Sequence, residues 1–470
     1  MTDSRWDVEV DVLVVGAGGC GLTAALAAKE QGVDVAVLEK LAKVSGNTGL
    51  STGSVLGAGT KYQRAAGIED SPEKMIEDLS RQAGPHEMME LTRVLAHESA
   101  SLVEWLIEVV GVRMGLITDY RHVGHTVPRL HAPPSRKGKD LIEDLLAAAK
   151  KKDIPVAVSN PVTQLVPGAE NEVIGAVIKS ERTGEYRLKA KKIILANNGF
   201  AAHRGMVSRF CPDIAGAPYF GAEGSTGEAI LWGEELGAAL ANIGAYQAYA
   251  AVSYPYGSIV SWTTVEMGGI MVDHQGRRFG DESLGYSGFA TAVMANTISN
   301  VEHPHLAFVI CDARIRDYTA SHEEEFRELV QLGGAKEWRD LADMTRLYGH
   351  DFAHLSDTIE GYNAAARGET KDPLGRRGFG FAPLEPPYVA CQVTPGLFHT
   401  QGGLKINPLA QVLRPDGAII GNLFAGGGAA AGISGLKGPA GYSSGNGLLT
   451  ALGLGRIAGR AAALEVRAGK

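Results

Sequence analysis

The sequence predicts an α/β chain in which a domain built on a parallel sheet is interrupted by an inserted α+β cap. Three observations carry this. A valine-rich strand, a glycine turn, an alanine-rich helix pattern and a second strand follow one another over residues 10–39, the pattern of a right-handed crossover between parallel strands. Glycine supplies 61 of 470 residues, about 13% against a usual share near 7%, clustered towards both ends with no three-residue period. The middle, 249–384, is instead aromatic and charged, with Pro/Gly interruptions near 371–387. The expected domains are 1–248, 249–384 and 385–470, the first and last forming one unit. At about 150 residues per domain the length suits two or three domains, and a chain this long builds a core without disulfide or metal staples.

Residues 10–16, VDVLVVG, read as a buried strand, 20–31 as a helix and 34–39, DVAVLE, as the second strand. A helical stretch is expected over 71–110, opened by Ser71-Pro72-Glu73, a side-chain cap with proline at the first helical position. A further helix is expected over 139–152. Then come β-rich pieces at 155–159, 172–178 and 191–196. An alanine-rich helix closes the chain, from Leu448 to Val466.

Composition narrows the function classes. Lys and Arg number 45 against 53 Asp and Glu, a net charge of −8, which disfavours a nucleic-acid or anionic-membrane partner. Cys20, Cys211, Cys311 and Cys391 form no CxxC pair, so neither a zinc ribbon nor an iron–sulfur cluster is supported, and a reducing compartment is expected. The opening residues are charged and lack a signal-peptide core, and no apolar run is long enough for a span. The expectation is a cytoplasmic protein without a membrane span.

Gly16-Ala17-Gly18-Gly19-Cys20-Gly21 is GxGxxG set between strand and helix. Gly16 permits the tight turn, Gly18 lets backbone approach a pyrophosphate, and Gly21 lets helix and strand pack closely. The helix start offers N–H groups and a positive dipole end to phosphates. Glu39 ends the second strand, where a carboxylate accepts ribose hydroxyls and repels a 2′-phosphate. A dinucleotide is expected. No second GxGxxG follows a strand, so no dedicated NAD(P)H domain is implied and the electron donor or acceptor is left open.

The run GAGGCGLTAA, then Glu39-Lys40 and SGNTGLSTG at 45–53, resembles the flavoprotein family of fumarate reductases, succinate dehydrogenases and 3-ketosteroid dehydrogenases. The resemblance continues at 195–200, Gly224-Ser225-Thr226-Gly227, His399-Thr400-Gln401-Gly402-Gly403 and 422–428, and ends at Gly445-Asn446-Gly447-Leu448 and 455–459. It implies a discontinuous Rossmann-like FAD-binding domain with an inserted α+β capping domain. FAD contacts carry over to Gly16, Ala17, Gly18, Gly19, Gly21, Glu39, Lys40, Gly46, Asn47, Thr48, Ser51, Gly53, Val162, Ala196, Asn197, Gly199, Gly427, Gly445, Asn446 and Leu448. Two departures stand out. The turn that carries a glutamate in the family reads Ala425-Gly426-Gly427-Gly428, and 45–53 holds no histidine, so FAD is expected to be non-covalent.

The fumarate-reducing branch clamps a dicarboxylate with two histidines and two arginines, one arginine serving as proton donor. Here the resemblance puts Tyr249 at the first histidine, His399 at the second, Arg278 at the proton donor and Tyr442 at the last arginine. Lys437 lies near the missing charge. Asp281-Glu282-Ser283-Leu284-Gly285-Tyr286 and Tyr442-Ser443-Ser444-Gly445 are similar instead to segments of 3-ketosteroid dehydrogenases, where one tyrosine is the base and another, assisted by serine, polarises the ketone. The chemistry explains the residue types: a C–H beside a ketone becomes acidic when the enolate oxygen is stabilised, and a neutral phenol does this without adding charge. The catalytic candidates are therefore Tyr286, Tyr442, Ser444, Arg278 and His399, and the substrate-binding candidates are Tyr249, Tyr442 and His399. The favoured reaction is α,β-dehydrogenation of a cyclic or steroid-like ketone, or its reverse. Two alternatives stay open: reduction of an unsaturated carboxylate with Arg278 as proton donor, and a flavin-binding protein without redox turnover.

Arg278 is also a candidate structural partner of Asp281 or Glu282. The cluster Arg121-His122-Val123-Gly124-His125 and the pair His303/His305 read as solvated loops, with no metal. Arg129, His131, Arg136, Lys137 and Lys139 read as a solvated basic face.

Overall fold

The computed structural model describes residues 6–118, 122–297 and 305–469; Arg121 and His303 lie outside them. The chain divides into two units. One comprises residues 1–211, 221–246 and 399–470, the other 212–220 and 247–398.

The first unit is organised on a sheet whose main order is 411–413, 419–425, 184–195, 8–15, 35–38, 156–157. The strand Val8–Val15 lies parallel to Val35–Leu38 on one side and to Gly184–Leu195 on the other. Val12, Leu13 and Val14 are fully buried. That is why this strand reads as a continuous apolar run: helices cover both faces of such sheets, so alternation disappears. The helix Gly19–Lys29 follows the glycine turn and is buried over nearly its whole length, against the closing helix Asn446–Arg467. Small residues make this approach possible: a Cβ on Gly455 would lie 2.4 Å from the Cys20 carbonyl oxygen and one on Gly459 2.1 Å from that of Ala24.

The helical stretch expected over 71–110 is two helices. Pro72–Ala83 begins as expected, with the Ser71 hydroxyl accepting from the Lys74 N–H. It stops at Gly84, whose φ of +65° only glycine adopts readily. The second helix, Met89–Trp105, ends in a π-helical turn, Leu106–Val110.

The second unit holds Ile270–Val272, Ala307–Asp312 and the strand Tyr388–Thr400 as far as Phe398, as neighbouring antiparallel strands. Helices Leu341–Tyr348 and Leu355–Ala366 supply Met344, Leu355, Ile359 and Tyr362 to its core, where they meet Phe308, Ile310 and Phe352. Among the described residues no helix is long and apolar enough to cross a membrane.

Candidate cofactor cradle and reaction residues

The glycine loop is shaped by backbone contacts. Gly16 has φ +102°, and a Cβ there would lie 2.5 Å from the Ala196 carbonyl oxygen. A Cβ on Gly21 would lie 1.8 Å from the Gly16 carbonyl oxygen, whereas one on Gly18 meets nothing within 4 Å. The three glycines thus divide their work as the motif requires: a tight turn, an open approach and a close helix–strand contact. Gly18 precedes the first helical residue, Gly19, and no side chain caps that end.

The short helix Gly46–Leu50 packs over the loop. A Cβ on Gly19 would lie 2.6 Å from the Thr48 hydroxyl, and one on Gly46, at φ +62°, 3.5 Å from the Gly18 Cα. Ser51 accepts from the Gly53 N–H at 3.0 Å and donates to the Thr48 carbonyl at 2.8 Å. Gly53 sits at φ +71° against Pro133. Glu39 braces the turn, its two oxygens accepting from the Ala17 and Leu41 N–H groups at 2.9 Å each. Lys40 turns its ammonium to Glu228, 2.7 Å away, and to the Thr226 hydroxyl. Burial would raise the Glu228 carboxyl, but Lys40 and Thr226 bring it below the ordinary range.

The remaining predicted contacts have these surroundings. Ala196 donates to the Val15 carbonyl at 2.8 Å. Gly199 lies against Thr400, Gly427 (φ +57°) against Cys20, and Gly445 (φ +86°) against Leu56 and Leu130. Leu448 is buried in the first turns of the closing helix, and Val162 is buried at the start of its strand. Three of the predicted asparagines keep a buried polar atom with no partner: Asn47 Nδ2, Asn197 Oδ1 and Asn446 Oδ1. Buried polar atoms are otherwise nearly always paired. With the open approach at Gly18, these orphaned atoms fit a polar cofactor such as FAD. Cys20 is inert packing against Gly426 and Gly427, its thiol pushed up to about 12 by burial.

Two reaction candidates share the turn before the closing helix. Tyr442 is buried, and its ring meets His399 edge-on with centroids 5.9 Å apart. His399 Nδ1 accepts from Gln401 Nε2 at 3.1 Å; Gln401 Oε1 accepts from Ser434 at 3.0 Å, and Ser434 accepts from Asn446 at 3.2 Å. Burial lowers the His399 pKa to about 4, so it is neutral near pH 7. Ser444 donates its N–H to the Val123 carbonyl at 3.1 Å, and its own carbonyl accepts from His125 Nε2 at 2.8 Å. Lys437 is exposed.

The expected solvated loop does not hold at His125. His125 is buried, and burial lowers its pKa to about 4. Arg129 is not part of a solvated face either: its side chain is fully buried, held by Asp70 at 2.7 Å and Asp78 at 2.5 Å. His131 is fully buried too, its pKa likewise lowered to about 4 by burial, with Nε2 3.2 Å from the Thr60 hydroxyl. The basic stretch misleads because Asp70 and Asp78 lie more than 50 residues away in sequence.

The second unit carries Tyr249, Tyr286 and Arg278. The rings of Tyr249 and Tyr286 stack at 4.9 Å. The Tyr249 hydroxyl donates to the Val260 carbonyl at 3.2 Å and accepts from the Trp262 N–H at 2.9 Å. Tyr286 stands on the short helix Gly285–Gly288, just after the turn Glu282–Leu284. Arg278 grips Glu282 through Nε and Nη2 at 2.9 and 2.6 Å and Asp372 through Nη1 at 2.5 Å, while its guanidinium lies over the Tyr362 ring. Burial alone would lower the Arg278 pKa; Glu282 and Asp372 together drive it up. Asp281, the other sequence candidate, instead caps the Ser283 N–H. Sequence reasoning missed Asp372 and Arg376, which complete this buried network; no local pattern marks either.

The family described as FAD binding domain matches residues 11–445. A probable fumarate reductase of Shewanella frigidimarina is 31% identical over 454 residues, covering 96% of this chain and 74% of that protein. A urocanate reductase of Eggerthella lenta is 31% identical over 428 residues, covering 89% and 69% respectively. Among solved structures, the 3-ketosteroid-Δ4-(5α)-dehydrogenase of Rhodococcus jostii RHA1, in complex with 4-androstene-3,17-dione, aligns with a TM-score of 0.78 at 26% identity over 98% of both chains.

Proposed function

We propose, from the premise that this chain belongs to the FAD binding domain family and is an FAD-dependent oxidoreductase acting on carbon–carbon double bonds, that it interconverts a cyclic or steroid-like ketone and its α,β-unsaturated enone. The observation that carries this reading is the state of Arg278. Of the four positions at which the resemblance expects a carboxylate clamp, two are tyrosine, Tyr249 and Tyr442, and the arginine that remains has each of its three nitrogens on a buried carboxylate. Holding a carboxylate bidentately is arginine's particular role, and Arg278 is already engaged.

In this reading Tyr442, assisted by Ser444, donates a hydrogen bond to the ketone oxygen and stabilises the enolate as it forms. His399, neutral, offers a further contact. Tyr286 takes the proton from carbon, its ring stacked on that of Tyr249. FAD, when bound, accepts the hydride from the neighbouring carbon. Arg278 is a positioning residue: it anchors Glu282, which opens the turn leading into Tyr286. One donor aimed at a developing oxyanion is commonly worth a hundredfold to a thousandfold in rate.

The test is anaerobic mixing of the yellow protein with saturated cyclic ketones and 3-ketosteroids while the flavin absorbance is followed. At least one ketone should bleach it, and Tyr442→Phe and Tyr286→Phe should keep FAD while losing about a hundredfold or more in rate. Full turnover in both variants would overturn the assignment. The names of the relatives favour a second reading, reduction of an unsaturated acid. Under it no ketone bleaches the flavin, and an unsaturated acid reoxidises the reduced protein.

A further inference from the structure

We propose that His125 is a positioning residue for this reaction: its Nε2–H holds the Ser444 carbonyl and thereby fixes the Tyr442–Ser444 turn that aligns the substrate ketone. The inference rests on the ketone reading above and adds a residue to it. The turn needs an outside anchor because it is flanked by Gly441 and Gly445, the latter at φ +86°, and glycine gives up more conformational freedom on ordering than any other residue. The anchor is a short loop from elsewhere in the same unit. Val123 accepts from the Ser444 N–H at 3.1 Å, and His125 meets the Ser444 carbonyl at 2.8 Å. Between them Gly124, at φ +87°, comes so near that a Cβ would lie 2.4 Å from the Ser443 hydroxyl.

What makes His125 a dependable donor is its other nitrogen. Nδ1 faces Arg129 Nη1 at 3.3 Å. Guanidinium has donors and no acceptor, so Nδ1 must accept and the ring proton must reside on Nε2, aimed at Ser444. Arg129 is itself immobilised by three contacts of 2.5–2.8 Å to Asp70 and Asp78. Asp78 also accepts from the Thr126 N–H and hydroxyl at 2.8 and 2.7 Å, which ties it to the same loop. A second protonation on His125 would set an N–H against an N–H, and burial already opposes it. The chain Asp78–Arg129–His125–Ser444 therefore transmits one fixed geometry to the turn.

The test compares His125→Ala, His125→Gln and His125→Asn in the FAD-loaded protein. Glutamine's amide nitrogen reaches where Nε2 lies; asparagine's is too short. One readout is the absorption band of a bound 3-keto-4-ene steroid, which moves to longer wavelength as its carbonyl is polarised. The other is the split between kcat and KM for the ketone that bleaches the flavin. Expected are a lost band shift and a ten- to hundredfold lower kcat in the alanine and asparagine variants, with KM within about threefold of wild type. Glutamine should restore most of both. Wild-type band and kcat in His125→Ala, or glutamine no better than asparagine, would overturn the proposal. If the alanine variant does not fold, the glutamine–asparagine pair decides alone. Collapse of Tyr442→Phe with an unaffected His125→Ala removes the positioning role only; an unaffected Tyr442→Phe removes the ketone reading with it.

Discussion

The glycine loop at 16–21 and the turn at 442–446 belong to the same unit but are built by opposite means. The loop is held by what is missing. Gly16, Gly19 and Gly21 sit where a Cβ would fall between 1.8 and 2.6 Å from a neighbouring atom, and Gly18 leaves an opening. The turn is held by what reaches it. Its ordering comes from His125, Arg129, Asp70 and Asp78 on one side, and Gln401 and Ser434 on the other. A site made by backbone shape is written in adjacent residues; a site made by side-chain bridges is spread over the chain.

The sharpest way to break this contrast is within the loop itself. Gly21→Val should abolish FAD retention and yield little folded protein, because its first carbon alone would meet a main-chain oxygen at 1.8 Å and neither strand nor helix can yield cheaply. Gly18→Ala should fold normally and lose only affinity, since φ is −72° and a Cβ there meets nothing within 4 Å. The FAD-to-protein absorbance ratio reads both. Equal effects would show that the loop works by composition and not by shape.

Next in size are the side-chain bridges. Arg278→Leu takes the main cation from two carboxylates, Glu282 and Asp372, whose side chains are 1% and 0% exposed, and leaves Glu282 only Arg376 at 3.4 Å. Removing one partner of a buried pair costs about 3–5 kcal/mol, read as a lowered Tm, and Tyr286 should suffer with it. A Tm unchanged by Arg278→Leu would show that the network is incidental.

Smaller and graded is the response to acid. Folded His125 and His131 have pKa values near 4, against about 6.5 when unfolded. As pH falls through that window the unfolded chain takes up the protons first, so stability is lost between about pH 6.5 and 4, by about 3 kcal/mol for each histidine. Asp78 adds a second loss at lower pH: its pKa of about 2 lies below the unfolded value near 3.9, so its contribution holds above about pH 4 and fades towards pH 2. Denaturant unfolding at pH 7 and pH 4.5 tests the first window; a flat profile would mean that these histidines are not held neutral.

The sequence showed the first of these two regions and little of the second. The strand–glycine–helix unit, Glu39 and the closing helix were legible because local spacing dictates them. The break at Gly84 was not, since a helical pattern continues on either side. Arg129, His131 and His125 looked like solvated basic residues because their acids and acceptors, Asp70, Asp78, Thr60 and Ser444, come from distant segments. Arg278 was visible as a charged residue, but Asp372, 94 residues on, shows that its charge is spent within the fold. The choice between ketone and acid chemistry turns on such bridges, which spacing does not encode.

Flavin reoxidation separates the two chemistries. Chemically reduced protein would be mixed anaerobically with equal concentrations of a 3-keto-4-ene steroid or of fumarate, and return of the yellow absorbance timed. The enone should reoxidise the flavin at least about a hundredfold faster, the scale of a single well-placed oxyanion donor, with the advantage lost in Tyr442→Phe. Fast reoxidation by fumarate and none by the enone would contradict the ketone reading.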